Sequence, residues 1–315
     1  MDEKVFEAVL KEKQGKKNGD SFWDSLARKF QYPSKNAMRK AFNRELASRG
    51  LDGYTEIVPT LKIVSMDLEN LPPRGYPGWG LRDQYISPEM IQDDVTLLSW
   101  AAVDAQSGRV DSDVLTPKES SAYNSKRLVT SLRNYINEVD FVIGFNWEWF
   151  DGKLLTTELT KYRIWPVRYR TIDVYQLLKK HYRLTSNSLK FVAKKFGIRE
   201  KTPNEGFMLW RRCAEGDKDA LEEMRVYNEG DVLSTLELYK VIAPYVGNSL
   251  PNFGVFDSSG NMICACGSKK FVEDGEWSTN SARYIRRRCT SCGAIHRDKK
   301  NLLSKEHLKN LKIRA

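Results

Sequence analysis

The chain has 315 residues, which at a typical ~150 residues per domain predicts about two domains and room for a small third. Hydrophobic residues make up 41% and charged residues 29%, a composition that supports a packed core and excludes a wholly disordered chain. No uninterrupted apolar run approaches the ~18 residues of a membrane helix, and the N-terminal stretch MDEKVFEAVL has no apolar signal segment. We therefore expect no membrane partner and a cytoplasmic location, and the net charge of +10 favours a polyanionic partner.

Residues 1–52 have a helical pattern. Two amphipathic segments flank a break at 32–34, where proline interrupts the helix. The second segment carries four basic residues, which are Lys35, Arg39, Lys40 and Arg44. Two short helices around a tight turn predict a small helix-turn-helix-like module that binds DNA. A plain helical interaction module has the same pattern, so both interpretations stay open.

From residue 60 to 250 the pattern changes to strands and then to strand–helix alternation. The predicted strands are 61–68, 95–103, 109–115 and 141–145. The predicted helices are 121–139, 149–162, 173–181, 187–196, 207–214 and 217–243. This order predicts an α/β domain with a mixed sheet. A break at 251–254 separates it from a third segment, 255–315.

Two acids stand close together at the end of the first predicted strand. Asp67 and Glu69 are two residues apart, so strand geometry places both on one face, with Leu68 on the other. Two neighbouring carboxylates repel each other unless a cation lies between them. The pair is therefore a candidate cation site, whereas a solvated surface pair is the alternative.

Two further acids occur at positions that suit the same site. Asp151 follows the apolar strand 141–145, and Asp231 lies one helical turn after Tyr227, so Tyr227 and Asp231 share a helix face. Each has an ordinary structural alternative. Asp151 could cap the helix that follows it, and Tyr227 could be a packing aromatic.

These motifs together resemble the DEDD (DnaQ-like) 3′–5′ exonucleases, which have a ribonuclease H-like fold. Asp67-x-Glu69 matches the first family motif, and Asn146-x3-Phe150-Asp151 matches the second. Tyr227-x3-Asp231 matches the third motif in its tyrosine form, called DEDDy. The resemblance covers roughly 60–250, and it extends to bacteriophage-type members that carry a C-terminal zinc ribbon, which implies a host-cytoplasmic location.

The resemblance implies a mixed sheet with flanking helices and a two-metal-ion nuclease site. In this reading Asp67, Glu69, Asp151 and Asp231 hold two Mg²⁺ or Mn²⁺ ions, hard cations that prefer carboxylate oxygens. Tyr227 would orient the attacking water, because an unperturbed tyrosine ionises only near pH ~10. The favoured substrate is single-stranded or end-frayed DNA, and RNA stays open as the alternative. A structure-specific endonuclease and a catalytically inactive nucleic-acid-binding protein remain competing interpretations.

Four of the five cysteines form two close pairs. Cys264-x-Cys266 and Cys289-x2-Cys292 are separated by 22 residues, and a glycine follows each pair. In a chain without a signal segment, such pairs predict a four-cysteine zinc ribbon holding one structural Zn²⁺. The one-residue spacing of the first pair is unusual, His296 is a possible substitute ligand, and free thiols or a redox pair are the alternatives.

Several residues are candidates for contact with nucleic acid. Arg74 lies in the Pro/Gly-rich loop 71–80, and from Cys264 onward 13 Lys/Arg stand against five Asp/Glu. The ribbon residues expected to hold backbone phosphates are Tyr284, Arg286, Arg287, Arg288 and Arg297. The aromatic residues considered for base stacking are Trp147, Trp149 and Tyr85. Core packing is the more frequent role of tryptophan.

Four further polar residues near the motifs are kept outside the predicted metal site. Asp173 is expected to cap a helix, and Asn146 is expected to shape its loop. Glu148 and Glu229 lie within the motifs, but the side-chain period of each element predicts that they face away from the other acids. They are therefore left out of the predicted site.

Overall fold

The computed structural model describes residues 2–13, 20–48, 61–76, 86–199, 205–256 and 262–312. Contacts divide the chain into two units, one containing 1–60 with 255–261 and the other containing 61–254 with 262–315. The expected linker 51–60 lies outside the described residues. A separate ribbon domain beginning at residue 255 stays a prediction.

The described residues of the smaller unit form three helices around an aromatic core. They are α1 (Glu3–Lys13), α2 (Asp20–Lys29) and α3 (Lys35–Ser48). Phe6 of α1 stacks on Phe42 of α3 at 5.2 Å between ring centroids, and Trp23 of α2 packs against the same ring at 5.8 Å. The predicted pair α2 and α3 is confirmed. Arg39 and Lys40 are exposed on α3, whereas the side chain of Arg44 lies outside the described residues.

The larger unit contains ten strands and eight helices among its described residues. The strands are β1 (Ile63–Leu71), β2 (Arg74–Gly75), β3 (Ile91–Asp93), β4 (Thr96–Asp104), β5 (Val110–Val114), β6 (Phe141–Gly144), β7 (Arg170–Asp173), β8 (Phe271–Ser278), β9 (Arg283–Cys289) and β10 (Ile295–Arg297). The helices are α4 (Pro117–Ser121), α5 (Lys126–Ile136), α6 (Asp151–Lys161), α7 (Val174–His181), α8 (Leu189–Phe196), α9 (Phe207–Ala214), α10 (Lys218–Ile242) and α11 (Lys305–Asn310).

Five strands form the central sheet in the order β5-β4-β1-β6-β7. The pairs β1–β4 and β4–β5 are antiparallel, whereas β1–β6 and β6–β7 are parallel. The predicted mixed α/β architecture is therefore confirmed. Two local predictions were wrong. The four-residue strand β7 was missed because its sequence, RTID, is too short to show a period, and the expected helix 121–139 is two helices, α4 and α5, interrupted at 122–125.

Side chains of β1 alternate between two buried layers. Val64, Met66 and Leu68 belong to one apolar cluster, and Ile63 belongs to the cluster on the other face, which also contains Val232 of α10. This alternation follows from the two-residue period of a strand with both faces covered. The odd-numbered face of β1 is therefore the face on which Asp67 and Glu69 emerge.

A second, three-stranded antiparallel sheet forms near the C-terminus in the order β10-β9-β8. It joins the rest of the larger unit through the hydroxyl of Tyr239, in α10, which donates to the carbonyl oxygen of Ala265 at 2.8 Å. Among the described residues, no helix combines the length and apolar character needed to cross a membrane.

Candidate functional site

Asp67 and Glu69 lie inside β1, not at its end. The strand continues to Leu71 because β4 pairs with it as far as Leu71↔Thr96, with a register shift after Glu69. Leu68 packs into the apolar cluster on the other face, as the strand period predicts. Carboxylate oxygens of Asp67, Glu69 and Asp231 all lie within 4.8 Å of one another. The structure therefore brings together three of the four predicted acids.

Asp231 reaches this cluster from α10. The helix spans 25 residues from Lys218, and its N-cap is Asp217, whose side chain accepts hydrogen bonds from two backbone N–H groups of the first turn. Asp231 is 2% exposed. Burial of one carboxylate beside two others is unfavourable unless positive charge balances them. A divalent cation would supply that balance, and three oxygen donors at this spacing fit Mg²⁺ or Mn²⁺.

Asn228 is a site residue that the sequence interpretation missed. It is completely buried, its Nδ2 donates to Oδ2 of Asp67 at 2.8 Å, and its Oδ1 accepts from the Ser99 hydroxyl at 3.3 Å. A carboxylate can only accept, which fixes the amide orientation. Asn228 thus ties α10 to both β1 and β4. The only feature of the sequence that could have identified Asn228 is its position between Tyr227 and Asp231 in the third motif. The helical period alone does not predict that its side chain contacts Asp67.

Asp151, the fourth predicted acid, occupies the first position of α6. The N-cap position belongs to Phe150, so the alternative in which Asp151 is the helix cap is wrong. Its Oδ1 instead accepts from the backbone N–H of Leu68 at 3.1 Å, between the two β1 acids. Among the described residues it is not part of the 4.8 Å group. Asp151 is therefore beside the cluster and bonded to its backbone.

The loop that delivers Asp151 is held by Asp173. One carboxylate oxygen of Asp173 accepts from the backbone N–H of Asn146 at 3.0 Å, and the other accepts from that of Glu148 at 3.3 Å. Asp173 also caps α7 by accepting from the N–H of Gln176, which confirms its predicted role. Burial raises the pKa of this carboxyl. Asn146 has φ 63°, a left-handed conformation that shapes the loop as expected.

The two tryptophans of this loop have different environments. Trp147 is 1% exposed, belongs to the core beside β1, and donates from Nε1 to the hydroxyl of Tyr169 at 3.3 Å. The expectation that Trp147 stacks on bases is wrong, because its ring faces are covered by protein. Trp149 is 59% exposed and lies under the ammonium of Lys153 at 4.2 Å. Tyr85, the third stacking candidate, lies outside the described residues.

Tyr227 is mostly buried on α10, one turn before Asp231. Its ring packs edge-on against Trp210 at 5.9 Å, so the ring itself has the packing role considered as an alternative. The two acids left out of the site point elsewhere. Glu229 binds Arg225 and the Ser112 hydroxyl, and exposed Glu148 accepts from Thr171 at 3.0 Å.

The four C-terminal cysteines converge as predicted. Their sulfur atoms all lie within 4.8 Å of one another, with 3.5 Å between Cys264 and Cys292 and 3.7 Å between Cys266 and Cys289. These separations are far longer than the ~2.05 Å of a disulfide. Four thiols at this spacing fit a tetrahedral Zn²⁺ site. Nε2 of His296 lies 3.3 Å from the Cys264 sulfur, beside the four thiols.

Both cysteine pairs end in the same turn despite their different spacing. Gly267 and Gly293 have φ 85° and 78°, and each donates its N–H to the carbonyl of the first cysteine of its pair, Cys264 or Cys289. Burial raises the pKa of the Cys264 and Cys266 thiols, whereas, despite burial, hydrogen bonds from the backbone N–H groups of Cys292 and Ser291 and from the neighbouring thiols lower the pKa of Cys289 to about 6. Cys289 is thus favoured as a thiolate at neutral pH, whereas Cys264 and Cys266 would release their protons on binding zinc.

Four of the predicted phosphate-binding arginines are paired with acids. Arg74 binds Asp93 at 2.7 Å and lies over the Tyr123 ring at 4.6 Å, which fastens the segment after β1. In the ribbon, Arg286 and Arg288 share Asp274, whereas Arg287 binds Asp298 at 2.7 Å. Strand alternation puts Arg287 on the opposite face of β9 from the other two, so the three do not form one surface.

Comparisons with known proteins agree with this fold. A family model of the RNase H superfamily matches residues 88–243, just under half of the chain. That segment contains Asp151, Tyr227 and Asp231 and begins after Asp67 and Glu69. No curated protein matches the sequence.

Solved structures also match, and one is the family B DNA polymerase from the hyperthermophilic archaeon Pyrobaculum calidifontis. Its TM-score is 0.43 and its sequence identity 19%, over 58% of this chain and 25% of the polymerase chain. The matched region is thus a quarter of that protein. The superfamily match and the five-stranded mixed sheet together confirm the predicted ribonuclease H-like fold, which is of nuclease type.

Proposed function

We propose that this chain is a two-metal-ion 3′–5′ exonuclease that hydrolyses phosphodiester bonds of nucleic acid, with DNA as the favoured substrate. The observation that carries the proposal is the convergence of Asp67, Glu69 and Asp231, from two separate elements of a ribonuclease H-like fold, within 4.8 Å. Asp151, beside this cluster, completes the acids of the tyrosine-type motif set. The superfamily match over residues 88–243 supports the same class of reaction.

The acids would hold two divalent cations, with Asp67, Glu69 and Asp231 as the central ligands and Asp151 as the adjacent one. Such a pair of ions, when bound, neutralises charge on the attacking and leaving oxygens of a phosphodiester. Asn228 keeps Oδ2 of Asp67 in one orientation, so this carboxylate is pre-positioned. Tyr227, one helical turn from Asp231, is assigned to orienting the attacking water. The fold positions these groups on strand and helix backbones, which restricts their movement.

The activity is tested with a single-stranded DNA oligonucleotide labelled at its 5′ end. We expect a ladder of shortened products with Mg²⁺ or Mn²⁺ and none with EDTA. Asp67→Asn should abolish the ladder and leave DNA binding in place. Glu148→Gln is the matched control, since it removes an acid that lies within the second motif and accepts from Thr171 instead of facing the cluster. Cleavage that persists in Asp67→Asn would remove this residue from the site.

A circular single strand separates the exonuclease from a structure-specific endonuclease. A strict exonuclease leaves the circle intact, whereas nicking of the circle would favour the endonuclease. Binding without any metal-dependent cleavage, in protein with an intact fold, would favour a catalytically inactive nucleic-acid-binding protein. Products released from the 5′ end would overturn the assigned polarity.

We also assign one structural Zn²⁺ to Cys264, Cys266, Cys289 and Cys292. Four thiolates close the coordination shell of zinc and leave no position for substrate, so this site has no part in hydrolysis. The four sulfurs already lie within 4.8 Å, which supports the assignment.

A further inference from the structure

We infer that one face of the β8–β9–β10 sheet binds single-stranded DNA, with bases stacked on Trp277 and Tyr284 and phosphates held by Arg286, Arg288 and Arg297. The inference deepens the proposed nuclease function and rests on it for the identity of the polyanion. It assigns to the ribbon a base-stacking surface distinct from its zinc site.

Strand register places these residues on one face. Trp277 of β8 is directly opposite Tyr284 of β9, and Arg297 of β10 is directly opposite Arg286 of β9. Residues directly opposite on neighbouring strands project to the same side, as do residues two apart on one strand. Tyr284, Arg286 and Arg288 therefore share a face with Trp277 and Arg297. We call this set the aromatic–arginine face.

The aromatic rings on this face are accessible. Trp277 is 43% exposed, and Tyr284 is partly exposed. The guanidinium of Arg297 lies over the Tyr284 ring at 4.0 Å, an arrangement that fixes the ring and brings a cation beside it. Exposed aromatic rings interleaved with arginines are the features that proteins use to bind single strands, because every base offers a face for stacking. Two exposed apolar residues, Val272 and Ile295, flank Arg288 on the same face.

The charge of the face favours a polyanion. Its three guanidiniums stand against one carboxylate, that of Asp274, which lies 2.8 Å from Arg288 and 3.3 Å from Arg286. Asp274 contacts both guanidiniums, but its single negative charge neutralises only one of their two positive charges. Phosphates of a bound strand can therefore interact with the remaining positive charge.

The opposite face of the same strand has a different composition. Arg283 faces Glu276 at 3.4 Å, and Arg287 is paired with both oxygens of Asp298 at 2.7 and 2.9 Å. The aromatic packing on that side, between Phe271 and His296 at 5.1 Å, belongs to the cysteine end of the sheet. Among the described residues of this sheet, exposed aromatic rings and an excess of arginines over acids therefore occur together on one face and not on the other. A single strand fits this face better than a duplex, whose bases are already stacked on one another.

The test is fluorescence anisotropy of a labelled (dT)20 strand with the full-length Asp67→Asn protein and no added divalent metal. We expect Trp277→Leu to weaken binding about tenfold or more, and Trp277→Phe to restore most of it. Arg288→Ala should weaken binding several-fold and make its salt dependence shallower. Arg283→Ala, with the same charge change on the same strand but on the other face, should change the Kd less than twofold. Zinc content and circular dichroism confirm that each variant is folded.

Unchanged affinity in Trp277→Leu would overturn the stacking surface, and equal losses in Arg283→Ala and Arg288→Ala would show a non-specific charge effect. Equal displacement of the strand by duplex DNA or by polyglutamate would also contradict a single-strand site. Hydrolysis of a trinucleotide by the wild-type protein with Mg²⁺ is measured in parallel. If the trinucleotide is not hydrolysed, the proposed nuclease function is contradicted. If it is hydrolysed but Trp277→Leu and Arg288→Ala bind (dT)20 with unchanged affinity, only the proposed ribbon surface is contradicted.

Discussion

The side-chain amide of Asn228 donates a hydrogen bond to the carboxylate of Asp67 at 2.8 Å, and these residues stand 161 positions apart in the chain. The bond joins the third motif of the nuclease-like site to the first. Because Asn228 is completely buried and also accepts from Ser99, its amide has one defined orientation. It therefore acts as a positioning residue for Asp67.

Asn228→Ala is expected to reduce turnover by about tenfold and to raise the Mg²⁺ concentration needed for half-maximal activity, because Asp67 loses its fixed orientation. Loss of a buried hydrogen-bonding partner should also lower the free energy of unfolding by about 1–3 kcal/mol. Ser99→Ala is the control, since it removes the other bond of Asn228 without touching Asp67. The metal titration distinguishes positioning from simple destabilisation. An unchanged metal requirement in the alanine variant would contradict the positioning role.

Asp173→Ala is expected to destabilise the protein and to slow cleavage. The substitution removes the cap of α7, worth about 1 kcal/mol, and also the acceptor that holds the N–H groups of Asn146 and Glu148. Asp217→Ala removes a comparable cap, at the start of α10, and is the matched control. Urea unfolding and initial cleavage rates should separate the two variants. If both lose stability and activity equally, the loop contacts of Asp173 have no separate effect on the site.

Stability is expected to fall with rising pH because of Glu158. This carboxyl is buried in α6, accepts from the Ser125 hydroxyl, and has a pKa raised by burial above the ordinary value of 4.5. The folded state thus binds the proton more tightly than the unfolded state. The resulting stability is complete below the unfolded pKa and is lost as the pH rises through the folded pKa. Each tenfold difference in proton affinity contributes about 1.4 kcal/mol.

Glu158→Gln removes this titration and is nearly isosteric. Urea unfolding from pH 4.5 to pH 8 should show the stability of the glutamine variant rising relative to wild type as the pH increases. Parallel curves over the whole range would show that Glu158 does not ionise differently in the folded and unfolded states.

Purified protein is expected to contain close to one zinc per chain, released on titration of the four cysteine thiols with a mercurial reagent. Acidification should release the zinc, because protons compete with the metal for the cysteine thiolates. A Cys213→Ser variant is the control, since Cys213 is buried away from the cluster and should leave the zinc content unchanged. Protein prepared without chelator that contains no zinc would contradict the assignment.

Features that depend on local backbone geometry could be predicted from the amino-acid sequence. The two-residue period of β1 placed Asp67 and Glu69 on one face, and the paired cysteines with their glycines indicated the ribbon turns, because both patterns are set within a few residues. The alternation of strands and helices predicted the mixed sheet for the same reason. Short elements such as the four-residue strand β7 could not be predicted from the sequence pattern, because they contain too few residues to show a period.

Contacts between residues far apart in the chain became known only from the folded arrangement of the elements. The packing of α10 across the sheet brought Asp231 and Asn228 to Asp67, and it left Asp151 bonded to the Leu68 backbone beside them. Packing also buried Trp147, which the sequence had offered as a base-stacking residue. These outcomes depend on contacts between elements that are far apart in the chain, whose side-chain shapes and burial no local period specifies.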